Sequence, residues 1–231
     1  MEGSLRALES LQKGILDRIA RLELDLRLPS LPPPPPQPPA TAHVAGGTDT
    51  EARLSAVLRD GGVSDFEFKR VPTDYYEWTL DERREVLGGH SNDHLCKSIV
   101  LVNTQAHASV VDCSDRNNSK YYIVVVQYTA KFNAENVRNF LYTLNNGKIA
   151  KKKFNLRLAP EEESLKLTGY GHNAVTCVGM KTNIPVILDE AIARLDPDFF
   201  WLGGGEVDLK LGIRTPQFID SIKPFVVSCS T

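Results

Sequence analysis

Lys97 is one of a few residues in this 231-residue chain whose type and setting could serve chemistry. It lies in the apolar run CKSIVLV (96–102), where the alternation of a strand would place it on the same face as Ile99 and Leu101. A lysine on an apolar face costs free energy unless it has a partner or points into a cavity. A lysine at a strand end can also extend its ammonium group to solvent. The segment therefore predicts either a cation in a cavity or an ordinary solvated strand end.

A run of three glycines forms a second candidate site. Gly203, Gly204 and Gly205 follow the apolar FFWL, and Asp208 comes three residues later. The backbone N–H groups of consecutive glycines are unshielded, and such amides can stabilise negative charge on a carbonyl oxygen. Three glycines are equally typical of a hairpin or a bulge. The run thus indicates either an oxyanion-binding wall or a turn.

Two further segments could contact a ligand. Residues 169–179 (GYGHNAVTCVG) are mostly small, which lets a backbone approach a ligand closely, although they could simply connect two strands. A basic run between Gly147 and Leu158 contains no acidic residue, which suits contact with a phosphate backbone or, alternatively, a solvated turn. The cations of this run are Lys148, Lys151, Lys152, Lys153 and Arg157.

The common catalytic and metal-binding signatures do not occur in the sequence. It contains no G-x-S-x-G, no G-x-x-x-x-G-K-[ST] and no H-E-x-x-H. His90 and His94 are four residues apart, but the surrounding GGHSNDH predicts a loop rather than a helical metal site. The cysteines form no C-x-x-C pair, which excludes a zinc knuckle. They are Cys96, Cys113, Cys177 and Cys229.

Composition and charge exclude several classes of protein. Hydrophobic residues make up 42% and charged residues 24%, which are ordinary values for a globular protein. A formal charge of −2 excludes a wholly basic nucleic-acid coat, although not a local basic patch. No apolar run approaches the roughly 18 residues of a spanning helix. The first segment lacks the apolar core of a signal peptide and is too acidic for a transit peptide, so we expect a cytoplasmic protein.

The first 50 residues differ in composition from the rest. Residues 1–28 predict an amphipathic helix with a coiled-coil seam that repeats every seven residues. Such a seam predicts pairing with another chain, although the helix could also fold back on its own domain. Residues 29–50 include PSLPPPPPQPP and predict a stiff polyproline linker. The seam residues are Met1, Leu8, Ile15 and Leu22, together with Leu5, Gln12, Ile19 and Leu26.

Residues 51–231 alternate between helix and strand patterns. Helices are predicted for EARLSAVLRDGG, ended by Gly61 and Gly62, for LDERREVLGG with Thr79 as its N-cap, for NAENVRNFLYTLNN with Asn133 as its N-cap, and for PEEESLKLTG. Strands are predicted for FEFKRV, CKSIVLVN, YYIVVVQYTA and KFNLRLA, among about seven strands in all. The pattern predicts one mixed α/β domain of about 180 residues.

Taken together, the strand lysine, the small-residue loop and the triple glycine resemble the YbaK/ProX family of aminoacyl-tRNA editing domains. The shared features are the C-K-S setting of Lys97, the loop T-G-Y-x(4)-V-T-x-V-G at 168–179 with I-P-V-I-L-D after it, and G-G-G-x-x-D-L-x-L at 203–211. The resemblance covers roughly residues 51–228. It implies one mixed α/β domain with a barrel-like sheet and flanking helices, preceded here by a helical extension.

The resemblance also implies an activity, which is hydrolysis of the ester joining a wrong amino acid to the 3′ end of a tRNA. It implies that this deacylase uses no metal and no cofactor. By motif position, Lys97 corresponds to the family's key lysine. The positions that correspond to the pocket wall and to the loop that closes over the amino acid are Gly203, Gly204, Gly205, Asp208, Thr176 and Gly179.

Two departures from the family pattern leave the substrate open. Cys177 replaces the usual proline, and the stretch around Asn173 is poorer in glycine, so Asn173 is expected to help select the amino acid. Alanyl or cysteinyl esters of proline tRNA are the candidate substrates. The alternative function is a non-catalytic tRNA-binding or assembly component of an aminoacyl-tRNA synthetase complex.

The expected partners follow from the same interpretation. A mischarged tRNA would be bound partly through Lys151, Lys152 and Lys153. The N-terminal helix would bind proteins of a synthetase complex or a second copy of the chain.

Overall fold

The computed structural model describes residues 49–231, so the predicted helix at 1–28 and residues 29–48 of the predicted linker lie outside it. The helices are α1 (Asp49–Asp60), α2 (Leu80–Leu87), α3 (Ala134–Leu144), α4 (Glu161–Thr168), α5 (Glu190–Ala193) and α6 (Thr215–Ile222). The strands are β1 (Phe66–Arg70), β2 (Cys96–Asn103), β3 (Tyr121–Gln127), β4 (Leu156–Leu158), β5 (Val186–Asp189), β6 (Phe199–Gly203), β7 (Leu209–Arg214) and β8 (Phe225–Val227).

These strands form two sheets. The larger has the order β4-β2-β3-β5-β8, in which β4, β2 and β3 are antiparallel neighbours and β5 and β8 continue in parallel. The smaller has the order β1-β7-β6 and is wholly antiparallel. The predicted mixed α/β class is confirmed, and the two described sheets do not close into a barrel.

Helices cover both faces of the larger sheet. On one face, Leu54 and Leu58 of α1 pack with Phe218 of α6 in a core shared by the two sheets. On the other face, Val137 and Leu141 of α3 pack against the sheet. Residues 122–127 of β3 are therefore buried on both sides of the sheet, as a run of apolar, β-branched residues predicts.

Local signals in the sequence position several of these elements. The Thr79 hydroxyl accepts the N–H of Glu82 at 3.3 Å, and the Glu82 carboxylate accepts the Thr79 N–H at 2.8 Å, which completes a capping box at the start of α2. The Asn133 side chain caps α3, as predicted, by accepting the N–H groups of Glu135 and Asn136. The strand predicted for KFNLRLA is shorter, because residues 151–153 form a 3-10 turn before β4. None of the described helices is long and apolar enough to cross a membrane.

The outer edge of β2 changes neighbours along its length. Just before β2, Leu95 pairs with Trp201 of β6, and in the middle of the strand the Val100 carbonyl accepts the Ala159 N–H at 2.9 Å. Because N–H and C=O groups point alternately to the two edges of an antiparallel strand, those of Ser98 point to this outer edge. Ser98 thus lies in a gap on the outer edge of β2, between the part of this edge that pairs with β6 and the part that pairs with β4.

Candidate active site

The gap beside Ser98 opens into a cleft of about 490 Å³, a volume typical of small-molecule sites. We call it the Lys97 cleft. One side is the edge of β2, and the loop between α4 and β5 faces it. Its lining is made of residues 96–100, Leu158, Ala159, Glu161 and Ser164, of residues 170–173 and Val175, and of Tyr76, Tyr128 and Gly203.

The ammonium group of Lys97 is available to a ligand in this cleft. Lys97 stands opposite Val126 in the β2–β3 ladder, and its Nζ lies 5.3 Å from the centre of the Tyr128 ring. Within residues 49–231 it has no hydrogen-bond or ion-pair partner. A cation over an aromatic face is held in place by the ring without being neutralised. The structure therefore presents an uncommitted positive charge to the cleft.

Ser98 is a cleft residue that the sequence interpretation missed. Its hydroxyl is buried. Among the described residues its polar neighbour is the Cys177 thiol, which is only a weak hydrogen-bonding group. Burial raises the pKa of that thiol to about 12, so Cys177 stays protonated near neutral pH. The backbone amide of Ser98 points toward the gap. The signal in the sequence was slight, a single hydroxyl residue after the lysine of an apolar strand.

The three glycines have different tasks in the structure. Gly203 lines the cleft, and a Cβ atom placed on it would lie 2.5 Å from the carbonyl oxygen of Val175. The Gly204 N–H donates to the carbonyl of Leu209 at 2.9 Å, so it is committed to the turn between β6 and β7. Gly205 has a φ of 92°, in the left-handed region that favours glycine. Gly203 is thus the one of these three that lines the Lys97 cleft.

Three other predicted site residues lie outside the lining of the cleft. Asp208 accepts a hydrogen bond from the Arg70 guanidinium at 2.7 Å. Thr176 is a fully buried residue of the loop between α4 and β5. The carbonyl of Gly179 accepts from the Tyr170 hydroxyl at 3.0 Å. None of these three residues lines the Lys97 cleft.

Asn173 does line the cleft, and it is joined to two residues that the sequence interpretation missed. Its φ is 60°, and its carbonyl accepts a hydrogen bond from the Tyr76 hydroxyl at 2.7 Å. The same hydroxyl accepts one from the Nζ of Lys210 at 2.8 Å. Burial lowers the pKa of the Lys210 ammonium to about 8, and the nearby carboxylate of Asp208 opposes this effect. Lys210 has only 4% of its surface exposed.

An aromatic cluster beside the cleft carries further positive charge. The Arg83 guanidinium lies 5.4 to 5.7 Å from the ring centres of Tyr75, Tyr76 and Tyr128. Burial raises the pKa of each of these phenols, so they remain neutral hydrogen-bond donors near neutral pH. Lys97 and Lys210 contact rings of the same cluster. This end of the cleft therefore suits a ligand with negative charge.

His94 and Cys96, near the start of β2, have structural surroundings. His94 is buried, with its two ring nitrogens at 2.8 Å from the Ser91 hydroxyl and 3.1 Å from the Pro197 carbonyl oxygen. Burial raises the pKa of the Cys96 thiol well above its ordinary value, so it is a poor nucleophile. Residues 49–231 bring together no group of three or more His, Cys, Asp or Glu side chains that could hold a metal ion.

The basic residues Lys151, Lys152 and Lys153 form an exposed turn, which we call the basic turn. Lys151 pairs with the carboxylate of Glu135 at 3.1 Å. The carbonyl of Lys153 accepts from the Asn103 side chain at 2.9 Å, so the turn lies beside the far end of β2. At about 3.3 Å per residue, Asn103 is roughly 20 Å along the strand from Lys97.

Comparison with known proteins adds a family and a fold. A family model described as the aminoacyl-tRNA editing domain matches residues 85–221, more than half of the chain. A candidate trans-editing enzyme for prolyl tRNA synthetase has a similar structure, with a TM-score of 0.62, 18% identity and coverage of 80% of this chain and 99% of its own. No curated protein sequence matched the chain.

Two other solved structures have the same fold. One comes from epitope backbone grafting by computational design on scaffold proteins, with a TM-score of 0.60, 15% identity and coverage of 80% and 98% of the two chains. The other is a hypothetical protein, with a TM-score of 0.57, 19% identity and coverage of 78% and 99%. The region matched by the family model contains β2, the 170–175 loop and Gly203, and therefore nearly all of the cleft lining.

Proposed function

Because the chain belongs to the aminoacyl-tRNA editing domain family, we propose that it hydrolyses the ester bond between a wrong amino acid and the 3′ end of a tRNA. It would do so in trans, on tRNA that another enzyme has charged. The observation that carries the proposal is the uncommitted ammonium group of Lys97 in a cleft of suitable size.

The reaction does not require a strong nucleophile from the protein. A water oxygen bonds to the ester carbonyl carbon, the bond from that carbon to the ribose oxygen breaks, and the ribose hydroxyl regains a proton as the free amino acid leaves. Since the ester is already activated, positioning the water and stabilising the oxyanion suffice. One well-placed oxyanion donor is typically worth about 3 kcal/mol.

The cleft offers groups for each of these tasks. Lys97 contacts the ester carbonyl oxygen or the terminal phosphate, and the Ser98 amide is a backbone donor at the gap. Asn173 and Gly203 face the amino acid. The adjacent 2′-hydroxyl of the terminal ribose orients the water, which explains why no serine, cysteine or histidine nucleophile is needed.

A deacylation panel tests the proposal directly. tRNAs charged with Ala, Cys, Ser, Thr or Pro are incubated with the full chain, and the remaining ester is measured over time. We expect loss faster than spontaneous hydrolysis for at least one ester, with alanyl or cysteinyl proline tRNA as the first candidates. Binding of tRNA without acceleration for any ester would instead favour the non-catalytic assembly component.

The basic turn is proposed to contact the tRNA backbone away from the ester. Lys152→Ala and Lys153→Ala together are expected to raise the tRNA dissociation constant and to reduce its salt slope by about two, because each phosphate contact contributes about one. Lys151→Ala should have a smaller effect, since its charge is already paired with Glu135. The exposed Lys131→Ala is the control. An unchanged slope in the double variant would show that these lysines are only solvated.

The N-terminal helix is proposed to be a tether that takes no part in the chemistry. Its seam predicts pairing with a second copy or with a synthetase-complex protein. A shortened protein should begin at Gly46, because Leu54 and Leu58 of α1 belong to the domain core. We expect it to keep full deacylation of free tRNA and to lose self-association or complex binding, as measured by sedimentation. A folded shortened protein without deacylase activity would contradict the tether.

A further inference from the structure

A series of hydrogen bonds joins the buried Lys210 to Tyr76 and Asn173, which both line the Lys97 cleft. We propose that Lys210 and Tyr76 are positioning residues that hold residues 171–175 in the conformation that accepts the amino acid. This inference rests on the proposed deacylase function and adds to it a determinant of substrate fit. Neither residue is assigned a contact with the ester.

The burial of Lys210 indicates a specific use. Its ammonium donates to the Tyr76 hydroxyl and to the Val207 carbonyl, each at 2.8 Å, and it lies 4.5 Å from the centre of the Tyr76 ring. No carboxylate of residues 49–231 forms an ion pair with it. A buried lysine without an ion-pair partner costs free energy, whereas an apolar side chain of similar length could fill the same space. Such a replacement would lose the hydrogen bonds to the Tyr76 hydroxyl and the Val207 carbonyl, and of these two only the first leads to the cleft.

The Tyr76 hydroxyl is the central member of the series. It accepts from Lys210 and donates to the Asn173 carbonyl at 2.7 Å, across 97 residues of sequence. Because an ammonium group can only donate, the Lys210 bond leaves the Tyr76 hydroxyl hydrogen free for an acceptor, and the Asn173 carbonyl at 2.7 Å lies within reach, beside the Tyr128 side chain. A charged donor also strengthens the second bond by polarising the hydroxyl.

The wall that receives this bond is built from an uncommon backbone conformation. Asn173 has a φ of 60°, which is left-handed for a residue with a side chain, and the Ala174 N–H donates to the Gly171 carbonyl at 3.1 Å. Next to it, the Val175 carbonyl approaches Gly203 closely. The loop is thus fixed to Tyr76 on one side and to Gly203 on the other. Loss of the first contact would free the stretch that faces the amino acid.

Hydrogen exchange of the free protein tests the positioning without any substrate. The peptide covering residues 171–175 is compared in wild type, Tyr76→Phe, Lys210→Met and the double variant. We expect exchange of this peptide to be about five-fold faster than wild type in each single variant. The double variant should exchange no faster than the single variants, because both changes break the same series. Lys69→Met is the control, since Lys69 pairs with Lys210 in the β1–β7 ladder but lies over Trp201. Wild-type exchange in folded Tyr76→Phe would overturn the proposal.

Kinetics of the same proteins test the consequence for the substrate. For the ester that wild type hydrolyses, kcat/KM should fall about ten-fold in Tyr76→Phe. The ratio of the kcat/KM values for two amino acids of similar volume should move closer to one. Tyr76→Phe keeps the ring packing, so it decides the question even if Lys210→Met fails to fold. If wild type itself hydrolyses no ester, the proposed function fails while the exchange result still decides the positioning role.

Discussion

Lys97→Ala is expected to lower the rate of deacylation about 10²-fold or more while the domain stays folded. The ammonium contacts only the Tyr128 ring within the described structure, so the free protein loses little on its removal. The substrate, by contrast, would lose the cation that faces its carbonyl oxygen or phosphate. Single-turnover deacylation of the accepted ester measures the loss, and a thermal melt measures the fold.

Two companion variants sharpen this test. Lys97→Arg keeps the charge but places a planar fork where a compact ammonium stood, so it should recover only part of the rate. Lys69→Ala removes another lysine that lies over an aromatic ring, at 6.0 Å from the centre of Trp201, and should leave the rate unchanged. A folded Lys97→Ala protein that deacylates at nearly the wild-type rate would remove Lys97 from the site.

Features of the fold with local causes could be predicted from the sequence. The caps at Thr79 and Asn133 depend on side chains within three residues of the N–H groups they bond. The strands β2 and β3 are runs of β-branched and aromatic residues, whose preference for extended structure is strong. For these elements, the information that determines the structure lies within a few residues of it.

The cleft depends on contacts that no local pattern contains. The gap at Ser98 exists because β6 and β4, which are distant in sequence, pair with different parts of one strand edge. The bond from Lys210 to Tyr76 spans 134 residues. A lone tyrosine and a strand lysine have many ordinary interpretations, and only the packing of two sheets brings them together.

The glycine run shows the same limit at finer scale. The run of glycines indicates that side chains are excluded at these positions, but the structural reason differs at each of them. A Cβ atom on Gly203 would clash with the Val175 carbonyl, and one on Gly204 would clash with the Leu209 carbonyl. Gly205 adopts a left-handed φ. Which of them faces a ligand is decided by the position of the 170–175 loop, whose sequence lies thirty residues or so earlier.

Gly203→Ala is expected to reduce kcat/KM about 10²-fold, because misplacing a binding wall by about 1 Å can have an effect of that size. The added Cβ would lie 2.5 Å from the Val175 carbonyl oxygen and 3.3 Å from its carbon. Both are backbone atoms, so the loop itself must move. Overpacking of this kind should also lower the free energy of unfolding by about 1–3 kcal/mol. Urea unfolding and deacylation of the accepted ester measure the two effects.

Gly171→Ala is the matched control for this close approach. Gly171 lines the same cleft, but a Cβ placed on it would meet no atom within 4 Å. Its replacement should therefore leave the free energy of unfolding unchanged or raise it by up to about 1 kcal/mol, because alanine restricts the unfolded chain. Alanine is also a better strand residue than glycine, so backbone preference alone would make Gly203→Ala more stable than wild type. A Gly203→Ala protein with wild-type stability and wild-type deacylation would show that the loop does not depend on this contact to form the wall of the site.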